Sequence, residues 1–155
     1  MHILNISTDY AIRCLIYLSN SKGYVSTNEI SARMSIPCKY AAQILNKLKK
    51  AGVVDVKRGK SGGFAMTYDP KNLFLIDIIH MMNDDIRINR CLERDGFCSR
   101  NAIDRCAVHD IFKELQSSVD SHLGGISFAD IINRQESMLA EVGNQRGCTC
   151  PEAKG

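Results

Sequence analysis

Two amphipathic stretches separated by a short break constrain this chain more than any other feature. Ser26-Thr27-Asn28-Glu29 has the form of a capping box, in which a hydroxyl and a carboxyl each close a free backbone N–H at the start of a helix. Ile30 and Met34 come next at i, i+4 spacing, so a short helix runs to about Met34. Ser35-Ile36-Pro37 then stops it, because proline lacks the N–H that a helix interior needs yet fits a first helical position. From Pro37 the apolar residues Ala41, Ile44, Leu45 and Leu48 fall on one face of a second helix that ends at Gly52. Helix, tight turn, helix is the helix-turn-helix arrangement. The second helix carries Lys39, Gln43, Asn46, Lys47, Lys49 and Lys50 on its other faces, which suits either solvent or a polyanion.

Residues 53–67 favour the polyanion. Val53-Val54-Asp55-Val56 and Phe64-Ala65-Met66-Thr67 read as two short strands around Lys57-Arg58-Gly59-Lys60-Ser61-Gly62-Gly63, a basic hairpin whose glycines permit positive φ and close backbone approach. The expected fold is mainly α with a small two-stranded β wing, a winged helix-turn-helix followed by a long dimerisation helix. The hairpin is not a nucleotide cradle, since it has neither the Walker spacing nor a helix starting at it. Charge supports the same division. Residues 1–60 carry ten Lys/Arg against three acids, or +7, and residues 61–155 carry ten against fourteen, or −4, so the net +3 conceals a basic N-terminal module.

Ahead of this module, residues 8–20 place Ala11, Cys14, Leu15 and Leu18 on one helical face, with Ser7 or Thr8 as the expected N-cap. Cys14 lies inside that stripe and reads as core. Asp9 falls in the first turn, where the helix dipole favours a carboxylate. Beyond the hairpin, Leu73 to Met82 forms a helix packing onto the wing, on which His80 reads as a structural histidine.

The second constraint is Cys-x6-Cys-x7-Cys-x2-His, made by Cys91, Cys98, Cys106 and His109. Thiolates select iron–sulfur clusters, zinc or copper(I), and imidazole is their usual nitrogen companion, so these residues make a complete four-ligand set. Zinc knuckles use tighter Cys pairs, and the wide gaps lean toward a larger inorganic core. Three unrelated thiols in a polar loop is the plain alternative. No apolar run approaches the ~18 residues that span a bilayer, and the start lacks a signal-peptide pattern, so a cytoplasmic location is expected. Seven cysteines in such a chain point to metal or thiol chemistry over structural bridges.

Val108, Ile111, Phe112, Leu115 and Val119, with His122 or Leu123, then repeat at 3–4 residue spacing, a stripe too long for so small a domain to cover alone. A dimer interface is its expected use. Gly124-Gly125 ends that helix and Ser127 to Ile132 begins a short one. Gly143 to Gly155 reads as disordered, with Cys148 and Cys150 given no defined role. The resulting domains are 1–83 for the winged helix, 84–106 for the cysteine loop, 107–135 for dimerisation helices and 136–155 for a flexible tail.

With Thr8-Asp9-Tyr10-Ala11-Ile12-Arg13, Tyr40-x-x-Gln43, Arg58-Gly59-Lys60-Ser61-Gly62-Gly63 and the three spaced cysteines, residues 1–135 resemble the Rrf2 family of winged-helix transcription regulators, and its cluster-binding members in particular. Those members include an iron–sulfur assembly regulator group and a nitric-oxide-sensing repressor group. The resemblance implies a homodimeric regulator, not an enzyme, with a [2Fe-2S] or [4Fe-4S] cluster on Cys91, Cys98 and Cys106. The fourth ligand is implied to be His109, as in the assembly regulators, or Asp9 of the partner subunit, as in the nitric-oxide sensors. Ser7-Thr8-Asp9-Tyr10 favours the sensors and Cys106-Ala107-Val108-His109 the assembly regulators, while the cysteine gaps are wider than the family's common five.

The expected partner is double-stranded DNA carrying a palindromic operator. Lys39, Tyr40 and Gln43 would enter the major groove, Arg58 the minor groove, and Lys57 and Lys60 would meet phosphates beside Ser61, Gly62 and Gly63. Cluster status, nitric oxide or redox state would set operator binding. The rivals are a thiol-based redox regulator of the same fold without a cluster, an iron–sulfur electron-transfer protein, and a zinc-stabilised interaction module.

Overall fold

The computed structural model describes residues 5–59, 61–82 and 86–145. In order these form α1 (Ile6–Ser19), α2 (Thr27–Met34), α3 (Cys38–Lys50), β1 (Val54–Lys57), β2 (Gly63–Met66), α4 (Leu75–Met81), α5 (Ala107–Gly124) and α6 (Phe128–Gln145). The mainly α class with a two-stranded antiparallel wing is what the sequence leads one to expect. No helix among the described residues is long and apolar enough to cross a membrane.

α1 buries Ala11, Cys14, Leu15 and Leu18 as its spacing predicts. Burial pushes the Cys14 thiol up to about 12, so it stays protonated as a small core group. The N-cap is Asn5 and not Ser7 or Thr8. Its Oδ1 accepts from the N–H of Ser7 at 2.7 Å and of Thr8 at 3.1 Å, which starts the helix earlier.

Ser26 Oγ accepts from Glu29 N–H at 3.2 Å, but the Glu29 carboxylate takes a hydrogen bond from Tyr17 Oη at 2.8 Å, linking α2 to α1. Ser35 then adopts the left-handed conformation with φ 54°, and Ser31 Oγ donates to the Ile36 carbonyl at 2.5 Å. Pro37 is the cap of α3, its carbonyl accepting from Tyr40 and Ala41 N–H at 2.9 and 3.0 Å. Ala41, Ile44, Leu45 and Leu48 are buried.

In the wing, Val54 pairs with Met66 and Lys57 with Gly63. Val25 bridges Phe64 through hydrogen bonds of 2.9 and 2.8 Å, so the segment before α2 is sewn to the sheet edge. Gly62 and Gly63 have packing reasons to be glycine: a Cβ would collide with the carbonyl oxygens of Lys57 and Val25 respectively.

The C-terminal helices dock on this body through a short backbone pairing. Phe128 N–H donates to the Leu73 carbonyl at 2.6 Å and Leu75 N–H to the Ile126 carbonyl at 2.9 Å, while the Phe128 ring is fully buried. Ser127 and Asp130 cap each other, with Ser127 N–H to Asp130 Oδ2 at 3.0 Å and Asp130 N–H to Ser127 Oγ at 3.2 Å. From that start α6 continues to Gln145, which corrects the short helix expected there and takes in residues 136–145 of the expected tail, the rest of which lies outside the described residues. The reason is local: Gln135, Glu136, Met138, Leu139, Ala140 and Glu141 are strong helix formers, and the one Gly of the helix, Gly143, falls in its last turn. Cys148 and Cys150 lie outside the described residues.

Part of the apolar stripe of α5 faces away from its own chain, while Phe112, Val119 and Leu123 are half-buried. Val108, Ile111 and Leu115 are 54%, 60% and 49% exposed, whereas the residue that α5 buries is Gln116. Phe128 ties this helix pair to the winged module. Phe128→Ala is expected to cost about 3–5 kcal/mol, read as a lower denaturation midpoint in urea; a change under about 1 kcal/mol would show that the docking does not matter.

Candidate functional site

The first turn of α3 presents Lys39, Tyr40 and Gln43 to solvent. Tyr40 packs edge-on against Tyr10 of α1, ring centroids 6.4 Å apart. Arg13 lies 5.7 Å over the Tyr10 ring and pairs with Asp9 at 2.7 Å. An aromatic and ionic group on α1 thus buttresses the outermost aromatic of α3, which the sequence did not reveal because the two helices meet only in the fold. Cys38, also unanticipated, opens α3 with an exposed thiol that donates to Asn28 Oδ1 at 3.1 Å.

In the wing Lys57 and Arg58 are exposed, as is Ser61, and Lys60 lies outside the described residues. Lys57 Nζ rests 5.9 Å over the Tyr24 ring, and Tyr24 Oη donates to Asp55 Oδ2 at 2.8 Å. That bond raises the Tyr24 pKa and lowers that of Asp55. The base of the wing is held from the side by Tyr24.

The cysteine loop is built from locally closed pieces. Asn89 Oδ1 caps a 3-10 turn at Arg90–Leu92, accepting from Cys91 N–H at 3.5 Å. Arg90 binds both carboxylate oxygens of Asp95, meets Glu93 Oε2 at 2.6 Å and stacks 5.4 Å over Phe97. The Asp95 hydrogen bond raises the Arg90 pKa, and its counterpart lowers that of Asp95. This clamp folds the six residues between Cys91 and Cys98 onto themselves. Backbone N–H groups of Ala102 and then Arg100 turn toward Cys98 and lower its thiol pKa. A second 3-10 turn, Ile103–Arg105, delivers Cys106 to the N-cap position of α5.

Cys91 Sγ lies 3.4 Å from His109 Nδ1 on α5. His109 and Lys113 line two open hollows, one of about 400 Å³ shared with Cys106 and one of about 450 Å³ shared with Cys91 and Gln116. Among the described residues no three His, Cys, Asp or Glu side chains come together closely enough to hold a metal ion. The structure thus unites Cys91 with His109 and leaves Cys98 and Cys106 apart. Asp9 is engaged with Arg13 on α1. In donor type, three half-buried thiols and a half-buried imidazole on one loop and the first turn of α5 suit an iron–sulfur centre, but of these only Cys91 and His109 are brought together.

Exposed polar residues on the second helix of a helix-turn-helix, beside a basic hairpin, define a DNA-binding regulator of the winged-helix class. Residues 4–134 match the model of the Rrf2 family, described as an iron-dependent transcriptional regulator, and the chain belongs to that family. It is 32% identical over 141 residues to an Aquifex aeolicus protein named as an HTH-type transcriptional regulator, spanning 90% of this chain and 98% of that one. It is 30% identical over 129 residues to the regulator IscR of Xenorhabdus nematophila, spanning 82% and 77%. Among solved structures it is similar to T. potens IscR, with TM-score 0.67, 21% identity and coverage of 98% and 93%. It is also similar to CymR, the global cysteine regulator of B. subtilis, with TM-score 0.65, 21% identity and coverage of 86% and 98%. Regulators of this family bind DNA, and these relatives are regulators and not enzymes.

The clamp on residues 90–98 is testable by itself. Asp95→Ala should speed amide exchange at residues 91–98 about threefold or more while leaving exchange in α3 unchanged; equal exchange in variant and parent would show that the loop holds its form without Arg90.

Proposed function

We propose that this chain is a homodimeric repressor or dual regulator whose grip on a palindromic operator responds to an iron–sulfur cluster, [2Fe-2S] or [4Fe-4S]. The observation that carries the reading is the 3.4 Å approach of Cys91 Sγ to His109 Nδ1, a thiol and an imidazole joined where the cysteine loop enters α5. Cys91, Cys98 and Cys106 supply the thiolates. His109 is the preferred fourth ligand because it already meets Cys91, and Asp9 of the partner subunit is the alternative. A bound cluster supplies iron that reacts with nitric oxide and oxidants. The protein's part is to hold the donors, shelter them between the loop and α5, and pass any rearrangement of residues 91–106 to the first turn of α5. The uncovered Val108, Ile111 and Leu115 face supports dimerisation through that helix.

Each protomer reads DNA with α3 in the major groove, where Gln43 pairs with adenine and Lys39 reaches guanine beside Tyr40. Arg58 enters the minor groove, and Lys57 and Lys60 bind phosphates next to the Ser61, Gly62 and Gly63 backbone. A thiol-based regulator without a cluster is the second reading. It is favoured by the separation of Cys98 and Cys106 from the Cys91 and His109 pair, and by a fold shared with CymR.

Anaerobic purification with iron, sulfide and zinc analysis separates the two. Iron and sulfide with a visible absorption band are expected, and Cys98→Ala should lose most of both; a colourless, iron-free protein that responds to oxidant would establish the thiol reading. Arg58→Ala should weaken operator binding roughly tenfold, about 1.4 kcal/mol, with the visible spectrum intact. Unaltered affinity would remove Arg58 from the interface.

A further inference from the structure

Gln116 is the buried residue of α5, 5% exposed, and its carboxamide is fully engaged. Nε2 donates to the Ile86 carbonyl at 2.7 Å and to Asp120 Oδ1 at 2.8 Å, and Oε1 accepts from Ile88 N–H at 3.0 Å. By meeting a carbonyl and an N–H two residues apart, the side chain holds the main chain as a neighbouring strand would. Asp120 extends the hold, lying 3.8 Å from Arg87, the residue between them. An apolar side chain of the same size would take this partner from the Ile86 carbonyl and the Ile88 N–H.

The position on the helix gives this hold a purpose. His109, Lys113 and Gln116 lie at i, i+4 and i+7, one face of α5, and all three line the hollow that contains Cys91. Gln116 grips residues 86 and 88 two turns along from His109, and only Asn89 and Arg90 separate that grip from Cys91, whose Sγ meets His109. Asn89 caps the turn that bears Cys91, so little slack remains between anchor and thiol.

We infer that Gln116 is a positioning residue of the cysteine centre, delivering Cys91 to His109 by binding the main chain of Ile86 and Ile88. The consequence for a cluster rests on the proposed ligand roles of Cys91 and His109, but the delivery itself is a property of the protein without metal. Any transmission between the loop and α5 then has three points of contact: Cys106 at the helix start, Cys91 on His109, and Gln116 in the middle of the helix.

The test uses the full-length protein, reduced and freed of metal with EDTA, and monitors alkylation of each cysteine by iodoacetamide with mass spectrometry. His109→Gln should change the Cys91 rate at least threefold. Gln116→Leu should change it in the same direction and by a similar factor, and the double variant should go no further, the non-additivity expected when one residue acts through the other. Cys98 and Cys106 in the same samples should stay within twofold of the parent. The inference is overturned if Gln116→Leu leaves the Cys91 rate at the parent value, if the effects of the two variants multiply, if all three thiols change together, or if His109→Gln has no effect. Should Gln116→Leu fail to fold, Gln116→Glu, which keeps the acceptor toward Ile88 and loses the donor toward Ile86, enters the same comparison. Because no metal is present, these outcomes are independent of the iron analysis that decides the cluster reading.

Discussion

The pairing of residues 126–128 with 73–75 is the contact on which the rest of the molecule depends. Two backbone hydrogen bonds and the buried Phe128 ring fix the α5 and α6 pair to the start of α4. Once that junction is made, the segment from Met82 to Ala107 must span two anchored ends. The cysteines lie within that span, so their freedom is that of a bridge and not of a loose arm.

The same junction explains the inverted polarity of α5. A helix in a small domain ordinarily turns its apolar stripe inward. Here the buried residue is Gln116, which serves the backbone of residues 86–88; Phe112, Val119 and Leu123 are half-buried, and Val108, Ile111 and Leu115 are exposed. A buried amide is tolerable because both of its ends are satisfied. The helix therefore holds the cysteine segment through Gln116 and leaves Val108, Ile111 and Leu115 exposed.

The helix-turn-helix and wing were legible because their signals are local: four apolar residues at helical spacing in α3, a proline at its boundary, and glycines between two short strands. Cys14 was legible for the same reason. The Asn5 cap was not, since it precedes the apolar pattern that marks α1, nor was the full length of α6, whose helix-forming surface residues carry no strong apolar rhythm. Glu29 shows how tertiary contact overrides local grammar: its spacing from Ser26 predicts a capping box, and Tyr17 from another helix claims its carboxylate. In the candidate centre the residue types were readable and the grouping was not. Cys91 meets His109 across eighteen positions while Cys98, nearer in sequence to both, faces its own backbone. Gln116 falls in the gap of an apolar stripe and binds residues 28 and 30 positions away, so periodicity gives no hint of its partner.

The loop resolves into three closed pieces: the Arg90 clamp over Asp95 and Phe97, the turn that wraps Cys98, and the 3-10 turn leading to Cys106. Gly96 and Asn101, both at positive φ, sit near the ends of the middle piece. Each piece carries one thiol or sits beside one, and each is stabilised internally. Gathering the thiols around the proposed cluster would turn on a few backbone dihedrals between these turns, at a cost of about 1–2 kcal/mol per residue newly ordered. Cys91 meets His109 of α5, and Gln116 of the same helix holds the main chain three residues before it, at Ile88. Cys106 stands at the N-cap of α5, whose Val108, Ile111 and Leu115 are exposed.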